Sequence, residues 1–205
     1  MFLVAVARPR FVGDECTSDG KIGAWPFVEQ VAARRTSVNC PAGTVETKPV
    51  SVTLTKYREF LIEKVLPAIK EKWPCRNRSI VIQQDGASSH IAQDDPEFVE
   101  AATQGNWNIT LLTQPAQSPD TNLLDLTFFR AMQSSQWNHG FANEINGLIA
   151  QVMRAYNDFP ARKIDFGFLT LASCMDEIIC CNGDNTYSIP HMGKECLLRA
   201  GTLPV

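Results

Sequence analysis

Asp85 and Asp125 are the residues whose type and setting point most directly to chemistry. Asp85 closes the apolar run Ile80-Val81-Ile82-Gln83-Gln84 and is followed by Gly86-Ala87-Ser88-Ser89-His90. A carboxylate at the tip of a buried strand is held on a rigid element at the end of a sheet. Asp125 lies about one turn into the helical pattern after the next strand, behind Ser118-Pro119-Asp120-Thr121-Asn122. Both are therefore expected at the same end of two neighbouring strands. Two converging carboxylates without Cys or His partners are hard oxygen ligands, suited to Mg²⁺ or Mn²⁺ rather than zinc. Such an ion activates a water or hydroxyl and stabilises a phosphate oxyanion. The plainer alternative is that Asp85 caps a turn and Asp125 sits favourably in the first turn of a helix. His90 is placed to help position phosphate and equally to be a satisfied loop histidine. His139 and His191 have no evident partners.

The elements that must position these residues follow from the hydrophobic pattern. Residues 2–12 read as a strand, Gly13 to Gly20 as a turn, and Ile22 to about Val31 as a second strand pairing back. Residues 34–52 are polar with Pro41, Gly43 and Pro49 and read as a long loop. A helix is expected from about Thr53 to Trp73, with Tyr57, Phe60, Leu61, Val65, Ile69 and Trp73 on one face and a kink at Pro67. Ser79–Gln84 is a buried strand. Asp95 and Pro96 open a helix that Gly105 closes, and Trp107–Leu112 is the next strand. A helix from about Thr121 to Trp137 turns Leu124, Phe128, Phe129 and Met132 inward. Helical patterns then cover Asn143 to about Tyr156 and Phe166 to Cys181, and the tail from Gly183 has little period. The segment from Ser79 to Trp137 implies a parallel pair with a right-handed crossover. The leading strands are expected as an antiparallel meander on the same sheet, with ligand chemistry beside the carboxyl ends of the parallel strands.

Composition bounds the answer. The chain has 205 residues, 44% hydrophobic and 20% charged, with 11 Phe and 4 Trp, which excludes a wholly disordered protein. No apolar run reaches the roughly 18 residues of a membrane span. The apolar opening Met1–Ala7 lacks a basic lead-in and reads as a strand rather than a signal peptide. The net charge of −3 argues against a simple nucleic-acid-binding module, but it hides an asymmetry. Residues 1–84 carry 13 Lys/Arg against 8 Asp/Glu, and residues 85–205 carry 6 against 14. The first half could face phosphate and the second could hold cations. Seven cysteines without metal-ligand spacing fit a reducing compartment.

Two separated motifs and the distance between them carry a resemblance. Ile82-Gln83-Gln84-Asp85-Gly86-Ala87-Ser88-Ser89-His90, and Gln114-Pro115-Ala116-Gln117-Ser118-Pro119-Asp120-Thr121-Asn122-Leu123-Leu124-Asp125, resemble the second and third acidic motifs of mariner-type transposases. The 39 residues between Asp85 and Asp125 match the plant-like branch that uses a third aspartate. Pro49-Val50-Ser51-Val52-Thr53 with Tyr57, and Val65-Leu66-Pro67-Ala68-Ile69-Lys70, lend further support. The resemblance implies an α/β fold: an RNase H-like mixed sheet flanked by helices, without its first strand and with extra C-terminal helices. Residues 1–137 would form the partial DDE catalytic domain and residues 138–205 a helical extension of it. Asp85 and Asp125 would be the second and third catalytic, metal-binding carboxylates for Mg²⁺ or Mn²⁺. The ions would drive hydrolysis at transposon ends, and the freed 3′-hydroxyl would attack target DNA. His90, Arg34 and Arg35 would contact nucleic acid, and Asp120 would be a structural cap.

The partner so implied is DNA, both transposon ends and target, with a second copy of the chain as a further partner and no membrane. The location would be nuclear, or cytoplasmic without import, and not secreted. Gly86 stands where the family carries asparagine, and Ser88-Ser89 replace a proline-containing pair. The family's first acidic ligand and its helix-turn-helix modules have no counterpart here, and Asp14 and Asp19 lie in a turn rather than on the required strand. The chain alone is accordingly expected to be inactive, since misplacing a nucleophile costs ~100-fold. A non-enzymatic DNA-binding or interaction protein of transposon origin stays open beside it. A small-substrate phosphohydrolase would need a third ligand that the sequence does not offer.

Overall fold

The computed structural model describes residues 1–36, 41–137 and 144–204, and not the side chains of 135–137. It is a mixed α/β chain built on small sheets and several helices. Strand β1 (Phe2–Val6) pairs antiparallel with β4 (Lys21–Pro26), and β2 (Arg10–Val12) pairs with β3 (Glu15–Ser18) as a hairpin. The single strand expected over 2–12 thus breaks at Ala7-Arg8-Pro9, where proline has no N–H for a ladder. The expected turn of Gly13–Gly20 shrinks to Gly13-Asp14, with Gly13 at φ 62°, and contains β3. Strand β5 (Val28–Ala32) continues β4 and pairs with β6 (Val45–Pro49). β6 lies inside the stretch expected to be loop. Its one strongly apolar residue, Val45, gives no period, and pairing is carried by backbone and by a 3.0 Å Gln30–Thr47 side-chain bond.

Thr53 caps helix α1 (Leu54–Phe60), accepting from the Lys56 N–H. A π-helical turn, Leu61–Val65, leads into α2 (Leu66–Lys72). The kink expected at Pro67 takes this form. Leu66 N–H reaches back five residues to Leu61 O, changing the hydrogen-bond register just before the residue that has no donor. Strands β7 (Ser79–Gln84) and β8 (Asn108–Thr113) are parallel and in register. Helix α3 (Pro96–Thr103) crosses between them, opened by Asp95, whose side chain accepts from Phe98 N–H. A second π turn, Leu124–Phe128, precedes α4 (Phe129–Trp137). Helices α5 (Ile145–Asp158), α6 (Ala161–Cys180) and the short α7 (Lys194–Arg199) complete the described chain.

The described strands hydrogen-bond as four two-stranded sheets, not as one mixed sheet. What unites the leading strands with β7 and β8 is a shared core. Ile22 and Phe27 pack with Tyr57, Leu61, Val65 and Ile69, with Ile80, Ile109 and Leu111, and with Phe98 and Ala102 of α3. A second cluster joins Ala24 to Leu123, Phe128, Met132, Tyr156 and Ile164. Alternation along β1 feeds both, Leu3 and Ala5 toward the first and Val4 and Val6 toward the second. The β1–β4 pair is therefore covered on both faces. The β7–β8 pair is covered on one, leaving Val81 and Leu112 exposed on the other. Phe129, expected inward, is partly exposed, because the π turn before it advances the buried stripe through Phe128 and Met132. Gly167 of α6 sits where an added methyl would meet Thr127 and Leu123, so α6 packs backbone-close on the π turn. Six cysteines are free thiols, and Cys40 and His139 lie outside the described residues.

Candidate metal centre

Strand β7 delivers Asp85 to the carboxyl end of the parallel pair, and a local network fixes the loop that follows. Asp85 Oδ1 accepts the Ala87 N–H at 2.9 Å and lies 2.9 Å from His90 Nδ1. The same Nδ1 is 3.0 Å from the Asp85 carbonyl oxygen. Both neighbours are acceptors, so Nδ1 carries the proton and donates to them. The imidazole stacks on Tyr57, with ring centroids 4.0 Å apart. Tyr57 O–H donates to Oε1 of the buried Gln84 at 3.2 Å, and Gln84 Nε2 donates to the Ile91 carbonyl at 2.7 Å. Burial, and then the Asp85 charge, push the Tyr57 phenol well above its usual pKa, so it acts as a donor and not as a base.

Asp125 occupies the second position of the π turn Leu124–Phe128. Single π turns recur at functional sites because the wider turn re-aims one side chain. The loop before it is tied to the tip of β7. Gln83 Nε2 donates to Thr121 O at 2.7 Å, Gln114 N to Gln84 O at 2.8 Å, and Gln114 Nε2 to Ser118 O at 2.5 Å. Asn122 Oδ1 accepts from Leu124 N–H at 3.0 Å and starts the turn. Asp125 is exposed as a residue, yet partial desolvation of its carboxyl, and then the Asp85 charge, raise its pKa above the ordinary carboxylate value. The two carboxylates that the motifs nominate are thus electrostatic neighbours.

The other nominated residues divide. His90 belongs to the site as the partner of Asp85, and its Nδ1 is already engaged. Arg34 and Arg35 are exposed between β5 and β6 and make no contact with either carboxylate. Asp120 is not the cap expected of it. Asn122 fills that role, while Asp120 contributes its charge to the environment of the buried Cys174. Asp19 accepts from Lys21 N–H at 2.9 Å, toward the end of β1 away from Asp85, and does not join the pair.

Among the described residues no group of three His, Cys, Asp or Glu converges. The donor set present is two carboxylates, with one oxygen of Asp85 bonded locally. Mg²⁺ binds through one or two carboxylates and completes its octahedron with water and phosphate oxygens, so a donor set of two carboxylates is chemically suited to one such ion. A two-ion centre needs a further ligand. Tyr57 and Gln84 are the residues the motifs did not nominate. Gln84 had a signal: it shares a strand face with Ile80 and Ile82, and a buried amide must find partners. Tyr57 read as core and as part of a stretch supporting the resemblance, with no role at the site. Compared with protein-family models, with curated proteins and with solved structures, the chain matches none.

Proposed function

We propose that this chain is part of the catalytic domain of a mariner-type transposase, with an RNase H-like arrangement of which β1, β4, β7 and β8 are strands. In this reading Asp85 and Asp125 hold one Mg²⁺ or Mn²⁺ near DNA phosphate. The observation that carries it is that the Asp85 charge, after desolvation, helps raise the pKa of Asp125, a carboxylate from the other motif. A like charge beside a partly desolvated carboxyl disfavours its ionised form until a cation neutralises it. A bound ion would supply charge stabilisation to a phosphate oxygen. The chain's own contribution is positional. β7 and the Tyr57–Gln84–Ile91 brace hold Asp85, the π turn holds Asp125, and His90 keeps one Asp85 oxygen fixed. With two carboxylates in place, the chain alone holds too few ligands for strand cleavage and retains nucleic-acid binding.

The test is a thermal-unfolding series with Mn²⁺ and a plasmid-nicking assay. Mn²⁺ is expected to raise the melting temperature of the wild type and to leave Asp85→Asn and Asp125→Asn unmoved. No Mn²⁺ response in the wild type removes the metal site. Robust nicking abolished by Asp125→Asn removes the claim of inactivity and leaves the site standing. The second reading, a binding protein without metal chemistry, draws on the local bonds that already occupy Asp85 Oδ1. It predicts salt-sensitive DNA binding with no response to Mn²⁺.

A further inference from the structure

The carboxylates sit at one end of the parallel pair, and the opposite end carries the opposite charge. A cavity of ≈ 510 Å³ there is lined by Arg8, Arg10, Lys21 and Lys72, with Asp19 as the one carboxylate in its wall. A second, of ≈ 530 Å³, is lined by Lys70, Arg76 and Arg78 with the indoles of Trp73 and Trp107, and holds no carboxylate. Trp73 and Pro74 belong to both, so the two cavities adjoin across these residues and together make a basic band.

Most of this charge is uncompensated. Arg8 pairs with Asp165 at 3.1 Å and Lys21 lies 3.8 Å from Asp19. Among the described residues, Arg10, Lys70, Lys72, Arg76 and Arg78 have no carboxylate partner. Three of these five are held by carbonyl oxygens instead. Lys72 donates to Lys21 O and Ile22 O at 3.2 and 2.8 Å, Lys70 to Ala101 O at 2.9 Å, and Arg78 to Gly105 O at 2.8 Å. A carbonyl orients a cationic head without cancelling its charge. The indoles are fixed as well. Arg78 lies 5.2 Å from the centre of a Trp107 ring, and Trp73 Nε1 donates to Asn77 O at 2.9 Å.

We propose that this band binds single-stranded nucleic acid, the cations taking phosphates and the parts of the indoles not packed on the core taking unpaired bases. Phosphate contacts supply affinity that is steeply salt-dependent. Aromatic rings interleaved with cations reward a single strand, because a duplex keeps its base faces stacked inside. The surface is separate from the candidate metal centre. Strand β7 alone puts its six residues, about 20 Å of extended chain, between Arg78 and Asp85. Binding here needs no metal.

The experiment follows fluorescence anisotropy of a labelled oligothymidine with the full chain in EDTA. Five phosphate contacts predict that log affinity falls with log salt at a slope of about −3.5, or about 100-fold between ~50 and ~200 mM. Arg10 and Arg76 hold no backbone carbonyl, so the double variant Arg10→Gln/Arg76→Gln keeps the fold. Its slope is expected to shrink to about −2, while Arg10→Lys/Arg76→Lys keeps the wild-type slope. Trp fluorescence is expected to be quenched on binding. Asp85→Asn is expected to bind the strand as the wild type does, so loss of the Mn²⁺ response and loss of this band are separate results. An unchanged slope in the glutamine variant, tighter binding of a duplex of equal length, or no binding in EDTA overturns the proposal.

Discussion

The two ends of the β7–β8 pair differ in how their charge is built. At the carboxyl end Asp85 and Asp125 come from two compact motifs; Asp85 is set by bonds to Ala87 and His90, and Asp125 follows a turn that Asn122 starts. At the amino end the cations come from Arg10, from α2 and from the turn that follows it, and the aromatic wall from Trp73 and Trp107. The first end is local chemistry on a rigid strand. The second is assembled by packing, since nothing near Arg10 in sequence indicates that it will stand beside α2. The difference teaches why a motif can be read without a fold while a surface cannot. It also gives the charge asymmetry of the chain a location: part of the basic excess of residues 1–84 gathers at one end of the sheet, and the acidic pair of the second half at the other.

The largest expected effect lies in the core. Phe98 is fully buried in the core that both ends share, and Phe98→Ala is expected to cost about 3–5 kcal/mol. Urea titration should find that loss, and Mn²⁺ stabilisation and oligothymidine binding should fall together. Survival of one without the other would make the two ends independent units. Asp95→Ala comes next, removing the α3 cap, worth about 1 kcal/mol, and leaving Arg58 without the carboxylate it grips at 2.7 Å. Desolvation pushes the Asp95 pKa up, but the Arg58 bonds and the Phe98 N–H outweigh it, and the net direction is down. Its stabilisation is therefore present above the ordinary value of 3.8 and lost as pH falls through the lowered one. The gap between wild type and Asp95→Ala should close in acid.

Two smaller effects sharpen the carboxyl end alone. Tyr57→Phe deletes the bond to Gln84 and leaves a buried amide oxygen unsatisfied, for about 1 kcal/mol. It should loosen His90 and weaken the Mn²⁺ response without touching strand binding. Asp125→Asn should be the mildest in stability and opposite in sign. A carboxyl whose folded pKa is raised contributes stability below its unfolded value of 3.8 that is lost as pH rises through the folded one. At neutral pH the variant should equal or exceed the wild type in urea, and the difference should vanish toward pH 3.8.

Much of the architecture was legible because it rests on local rules. Asp95 is a cap, Pro67 disturbs its helix, and the apolar run after Trp73-Pro74 is the strand that leads into Asp85. What was not legible depends on partners far away in the chain. β6 has almost no hydrophobic period and exists through β5. The face of α4 shifts because a π turn precedes it, and backbone registry leaves no mark in composition. Asp120 was expected to be the structural cap, and the geometry of one turn gives the Leu124 N–H to Asn122 instead.

The sequence sufficed for the Asp95 cap and for the strand that places Asp85 at its tip, since each follows from the preferences of a few adjacent residues. Only the tertiary structure decided that Asp85 and Asp125 feel each other, that Tyr57 and Gln84 brace the loop between them, and that five cations without carboxylate partners line one band. Those facts turn on which residues remote in the chain come near one another. Such distances are set by which apolar faces close over a common core, and not by any residue's own preference.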